Sequence, residues 1–329
     1  MNIQTVNFND ASFVNVTNPS NLEIKYLKNN FGFDSLHLDD YIYKTQVPKI
    51  EIFKDYTLLV LDFPYFPQSE PLSGKNGEKN GVLSFPQFIP FEKKKRIFSS
   101  QVDFFIGNNY LVILYDGSLT PINYIFSQCQ KTLRNREEYI GEGSVFLAYR
   151  IIDALVDSCF PVINTLSSTI DRIDRELEDK QSQNTLEEIS TTRRNIVVFH
   201  TIIKPIIPLF KGLEEGVYKQ LNGKMQPFWG NISDHLQKIM ERVEDNRELL
   251  EGISESNESL LTSKTNEIVK VLTIYSAILL PLNLLASIYG MNIPGLPFAE
   301  DHVAFAIIMA FMFAIGVSML TIFKFKRWF

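Results

Sequence analysis

One late stretch of this 329-residue chain carries polar groups where apolar ones are expected. At a spacing near 3.5, Asn266, Val269, Thr273, Ser276, Leu280, Asn283 and Ser287 fall along a single helical face, with Leu272 on its edge. Amide and hydroxyl oxygens in that pattern can hold a hydrated ion by hydrogen bonds. Aliphatic side chains between them can close a water path by dewetting. Asn283 lies inside an otherwise apolar run, and a polar side chain so placed faces protein or water rather than lipid. Two readings stand at this point: a hydrogen bond between helices, or a water-filled path assembled from several subunits.

Catalytic chemistry is not legible elsewhere. The four histidines, His37, His200, His235 and His302, are scattered. No nucleophile–base pair or metal-enzyme motif accompanies them, so no enzyme and no resident cofactor is expected. The Gly/Lys/Asn-rich segment Pro71–Gly81 lacks the final Lys-Ser/Thr of a phosphate-binding loop and reads as an exposed loop. Cys129 and Cys159 fit a reducing compartment. A formal net charge of −6 argues against nucleic acid as a partner.

The elements that must position the polar face begin with two uncharged runs, Val271 to Tyr289 and Val303 to Phe323. Each approaches the ~20 residues a helix needs to cross a bilayer. Two buried core helices are the plain alternative. A short Pro/Gly-rich connection between the runs favours a membrane hairpin. Lys264 and Lys270 precede the first run, and Lys324, Lys326 and Arg327 follow the second, whereas the connection holds Glu300, Asp301 and His302. Positive flanks place both termini in the cytoplasm. The opening residues show neither a basic start nor an apolar block, so no secretory signal is expected.

Upstream, residues to about Gly143 read as mixed α/β. Asp55–Phe66 is a buried strand, Gln101–Gly117 a hairpin turning at Gly107-Asn108-Asn109, and Leu119–Leu133 an amphipathic helix opened by Thr120 and Pro121. From Ser144 the pattern is helical, with Pro161 marking a kink or a helix start, a corner at Gln181–Asn184, and a second helix from Thr185 to Phe210. Pro227–Gln237 reads as a break. Helical periodicity then runs from about Ile232 to Tyr289, roughly 85 Å at ~1.5 Å per residue. Leu236, Ile239, Val243, Leu249, Leu250 and Ile253 mark its contact stripe, and most of its acids read as a solvated face.

Tyr289-Gly290-Met291-Asn292, closing the first of two C-terminal apolar runs, resembles the CorA-type divalent cation channels, whose hallmark is a Gly-Met-Asn tripeptide there. The likeness continues upstream through the stretch beginning Ser263-Lys264 and downstream into Lys324–Phe329. It implies an α/β cytosolic funnel domain, a very long stalk and pore helix, a two-helix transmembrane hairpin and a homopentamer in the bacterial inner membrane. On that likeness the chain divides into 1–143 (α/β domain), 144–230 (helical segment), 231–270 (stalk), 271–292 (pore-lining span), 293–302 (external loop), 303–323 (second span) and 324–329 (basic tail).

The resemblance also assigns roles. Tyr289, Gly290, Met291 and Asn292 form an external selectivity ring, with neutral oxygens holding an ion that gives up its water reluctantly, as Mg²⁺ does. Asn283 supplies a second polar ring, Leu280, Leu272 and Val269 the hydrophobic constrictions, and Asn266 the cytosolic mouth. Glu300 and Asp301 concentrate cations at the entrance. The divalent ion is substrate. Magnesium-type members also hold a regulatory ion on carboxylates near the top of the stalk, where this chain has Asn231. A regulatory ligand site therefore falls to Asp234 and His235, with His235 alternatively an ordinary helix N-terminal residue. Electrogenic Mg²⁺ uptake, with Co²⁺ or Ni²⁺, is the expected activity. Magnesium-type members follow the tripeptide with an acidic Met-Pro-Glu-Leu loop, whereas this chain has Ile293-Pro294-Gly295-Leu296-Pro297. That departure brings in a Zn²⁺ transporter, proton-coupled in one variant. A membrane-anchored binding or enzymatic domain is the alternative from another class, but a tether gives no reason for the polar face.

Overall fold

The computed structural model describes residues 2–43, 47–67, 96–179, 183–291, 302–326 and 328. They divide into two compact units, Met1–Gly252 and Ile253–Phe329.

The first unit is built on a six-stranded sheet. Its strands are β1 (Ile3–Phe8), β2 (Ala11–Thr17), β3 (Lys49–Ile52), β4 (Tyr56–Tyr65), β5 (Phe98–Gly107) and β6 (Tyr110–Tyr115), in the order β1-β2-β6-β5-β4-β3. Only β2 and β6 pair in parallel; every other neighbour is antiparallel. The expected buried strand is β4, and the expected hairpin is β5–β6, in register from Ile106↔Leu111. Gly107 is required at that turn, because a Cβ there would lie 2.4 Å from the Tyr110 ring. The ring itself is fixed edge-on against Phe31 at 5.1 Å.

Side-chain alternation sorts the strands into two apolar faces. Over one lie α1 (Asn21–Phe31) and α2 (Ser35–Tyr43), whose Ile24, Leu27, Leu38 and Tyr41 close a cluster with Val14, Val60, Phe105 and Leu114. Ser20 and Glu23 form a capping box that starts α1, and Gly32 in the left-handed region stops it. The opposite face meets α3 (Thr120–Lys131), α4 (Leu133–Ile140), α5 (Ser144–Asp157), α6 (Cys159–Asp179) and α7 (Gln183–Ile203), followed by α8 (Ile207–Glu214). Phe126 of α3 stands edge-on to Phe13 of β2 at 5.0 Å. Pro161 is the third residue of α6, hence a helix start and not a kink, since a first-turn proline loses no intrahelical bond.

Two expectations are corrected here. Pro227–Gln237 is not a break: those residues lie in the long helix α9, which runs from Gln226 to Tyr289. The interruption comes earlier, in two 3₁₀ turns at Lys219–Leu221 and Gly223–Met225. Pro227 is second in α9, where it is tolerated, and the burial of Trp229 and Ile232 outweighs the turn-like composition. Leu249 is not on the contact stripe; it is 56% exposed. The stripe instead follows Leu236, Ile239, Val243, Asn246 and Leu250, one residue and 100° away from Leu249. Asn246 keeps its place there by accepting a hydrogen bond from Ser167 Oγ of α6 at 3.0 Å. Segment 71–81 and residues 181 and 182 of the expected corner lie outside the described residues.

The second unit holds the rest of α9 and α10 (His302–Phe325). Among the described residues three segments are long and apolar enough to cross a membrane: Leu186–Glu214, Gly223–Tyr289 and Phe305–Phe325. The first belongs to the core of unit one, with Ile196, Phe199, Ile203, Ile206, Phe210 and Leu213 buried. The apolar windows of the other two are only 6% and 0% buried, as expected for helices that lipid or further copies must cover.

Candidate functional site

The sixty-four residues of α9 give a helix about 96 Å long, running through the boundary between the units. Its interior carries few residues that break helices, Gly230, Gly252 and Pro281 among them. Pro281 has no N–H, so the carbonyl of Ala277 loses its usual donor. In a membrane such a carbonyl must find another partner in a neighbouring helix or in water. The helix ends at Tyr289, where Gly290 N–H still reaches Ala286 O at 2.9 Å and Met291 N–H bonds Ile288 O at 3.3 Å. That tightened last turn leaves little room: a Cβ on Gly290 would lie 3.0 Å from Ala286 O.

The expected path residues share one property. Asn266, Val269, Leu272, Thr273, Ser276, Leu280, Asn283 and Ser287 are all exposed. Between residues 262 and 291 the covered positions are Lys270, Ile274, Ala277, Ile278, Pro281, Leu282 and Leu285. At 100° per residue this covered stripe points to roughly the opposite side of α9 from the polar face. The chain therefore leaves its polar face open while shielding the other. Thr273 Oγ1 donates to Val269 O at 2.7 Å, which leaves its lone pairs turned outward for a further donor. On α10 the partly covered positions Ile308, Met312, Ile315, Gly316, Met319 and Phe323 also follow a single stripe, and from Val303 to Val317 the sequence holds no polar side chain.

Tyr289, Gly290 and Met291 are exposed at the end of α9. Asn292, Glu300 and Asp301 lie outside the described residues. Asp234 is exposed, and His235 is brought instead to α5, its Nδ1 3.3 Å from Asp157 Oδ1 and its ring edge-on to Phe160. One turn earlier Asn231 Nδ2 donates to Asp153 Oδ1 at 3.2 Å. Burial and the neighbouring Asp157 hold the Asp153 carboxyl above its ordinary range. Sequence reading missed Asp153 and Asp157, although two acids four residues apart near the end of α5 share one helix face. Among the described residues no group of three or more His, Cys, Asp or Glu is placed to hold a metal ion. What α5 and α9 make together is a polar seam that fixes the start of the long helix.

Comparison with known proteins gives the arrangement a context. The cobalt/magnesium transport protein CorA of Thermotoga maritima is 27% identical over 91% of this chain and 77% of its own length. A putative metal ion transporter of Bacillus subtilis, YfjQ, is 23% identical over 96% of this chain and 89% of its own. Among solved structures, the CorA magnesium transporter of Methanocaldococcus jannaschii aligns with a TM-score of 0.78 at 20% identity, over 98% of this chain and 94% of that one. The cytoplasmic domain of ZntB from Vibrio parahaemolyticus aligns with a TM-score of 0.55 at 12% identity, over 77% of this chain and 88% of that one. The family model described as CorA-like Mg²⁺ transporter protein matches residues 8–327. By that match the chain belongs to the CorA-like Mg²⁺ transporter family, whose members are divalent-cation transporters and not enzymes.

Proposed function

We propose that the chain forms a homopentameric channel for electrogenic Mg²⁺ uptake, with Co²⁺ or Ni²⁺ as further substrates, in the bacterial plasma membrane. The observation that carries this reading is the uncovered polar face of α9, set opposite the helix's own covered stripe. Five such faces around an axis line a path with alternating polar and aliphatic rings, from Asn266 through Val269, Leu272, Thr273, Ser276 and Leu280 to Asn283 and Ser287. Tyr289, Gly290, Met291 and Asn292 complete it outside as a ring of neutral oxygens, and Glu300 and Asp301 draw cations to its entrance. Such a ring suits an ion that is passed with its water. Inward movement needs no nucleotide, since a divalent ion gains about 4.6 kcal/mol across 100 mV. The names of the Thermotoga and Methanocaldococcus relatives support magnesium or cobalt as the cargo.

Zn²⁺ transport is a second reading, favoured by the loop Ile293-Pro294-Gly295-Leu296-Pro297, which departs from the magnesium-type pattern. A cytosolic ion acting on the channel through Asp234 and His235 must draw ligands from another subunit or from Asp153 and Asp157.

Two measurements test the proposal. The purified protein in detergent is expected to have the mass of five chains; a monomer sinks the pore. In proteoliposomes Mg²⁺ is expected to enter faster than Zn²⁺ and to respond to membrane potential. Zn²⁺ entry that follows a pH gradient while Mg²⁺ stays out establishes the second reading in its place.

A further inference from the structure

Asp103 is a carboxyl group outside the proposed ion path. It stands on β5 with no exposed surface, between its register partners Val60 and Leu114. Both partners belong to the apolar cluster that Leu38 and Tyr41 of α2 close. Gln101 Nε2 donates to Asp103 Oδ1 at 2.8 Å, while Oδ2 meets no donor among the described residues. A buried carboxylate with a single partner is strongly disfavoured, and the neutral acid escapes that cost.

The charged and titratable groups around it confirm the direction. Asp40 of α2 and Asp62 of β4 oppose ionisation, and Lys49 of β3 favours it. Lys49, however, is already engaged by Glu51 at 2.9 Å, and Glu51 also meets His37 of α2 at 3.1 Å. Tyr41 lies over the site, and Tyr115 and Asp116 at the end of β6 act on that same phenol. Burial above all raises the Asp103 carboxyl to about 7. The cover is slight: of the described side chains of α2, only His37, Leu38 and Tyr41 are buried.

We propose that Asp103 is a proton-operated latch beneath α2. When neutral it lets the helix close on the sheet, and when ionised it drives the helix open so that water reaches the carboxylate. The inference is independent of the ion path. Closure raises the acid above its ordinary value near 4, so the stability it lends the closed form is complete below that value and is lost as pH rises to 7. Opening of α2 therefore increases about tenfold per pH unit between roughly pH 5 and 7, then levels off.

Hydrogen exchange of α2 peptides in the full-length protein in detergent, corrected for intrinsic exchange, reads this directly, with β4 peptides as reference. Asp103→Asn is expected to flatten the profile. Gln101→Ala removes a donor that favours the ionised form, so it is expected to move the plateau to higher pH. A flat profile in the native protein overturns the latch. So does an unchanged slope in Asp103→Asn, which assigns the effect to the His37–Glu51 pair. Protection that follows added Mg²⁺ at fixed pH makes the site a cation site and likewise overturns it. Should Asp103→Asn fail to fold, the plateau shift in Gln101→Ala decides, and no shift refutes the proposal.

Discussion

Asn292→Ala is expected to abolish selective Mg²⁺ flux while leaving the assembly intact. In the proposed ring the amide oxygens hold the water shell of the ion, and alanine offers no acceptor in their place. Two or three such contacts, at about 1 kcal/mol each, correspond to roughly 30- to 150-fold in rate. In the sequence Asn292 comes after Gly290 and Met291, whose backbone bonds close α9, so its substitution should not disturb the helix. Flux into proteoliposomes and mass in detergent, measured on one preparation, check both halves. Selective Mg²⁺ entry at the native rate refutes the ring.

Trp229→Ala is expected to give the largest loss of stability in the first unit. The indole is fully buried, edge-on to Tyr149 at 5.9 Å and near Phe210 at 6.0 Å. Its Nε1 donates to Leu221 O at 2.9 Å, tying the first turn of α9 to the 3₁₀ turn before it. Truncation leaves a cavity and an unpaired carbonyl, which cost about 3–5 kcal/mol together. For a unit of this size that lowers the melting temperature by on the order of 10 °C. Trp229→Phe keeps most of the packing and loses the hydrogen bond, so it should fall between alanine and the native protein. A shift in Trp229→Ala too small to measure shows that the junction is held elsewhere. Scanning calorimetry of the detergent-solubilised protein provides the comparison.

How much of this was readable in the sequence depends on the physical origin of each feature. Asp55–Phe66 and the hairpin around Gly107 declare themselves because their residue types and turn match the local structure they form. The polar face of α9 is legible because helical period alone decides which side chains share a face. Local composition misleads at Pro227–Gln237, where Trp229 packs against helices that begin far upstream. Leu249 misleads for a related reason: an apolar type was allowed to override the angle. Asn246 and Asp103 were invisible as core residues, since each is buried by partners from other elements. Asp153 and Asp157 matter only once α5 lies beside α9. The choice of ion was not legible, because the loop after the tripeptide departs from the pattern of the magnesium-type members.

The parallel pairing of β2 with β6 bears on how the protein is made. Ser12 finds its partner Tyr110 almost a hundred residues later, and β2 has no other neighbour besides β1. At ~5–20 residues per second the ribosome needs about 5–20 s to supply that partner. Until then the β2 edge of the β1–β2 hairpin, which β6 covers in the finished sheet, stands unpaired, a template for misplaced strands. Completion of β6 removes that edge well before either apolar run has left the ribosome. The strands from β1 to β6 can thus pair while the chain is still tethered, before either apolar run emerges.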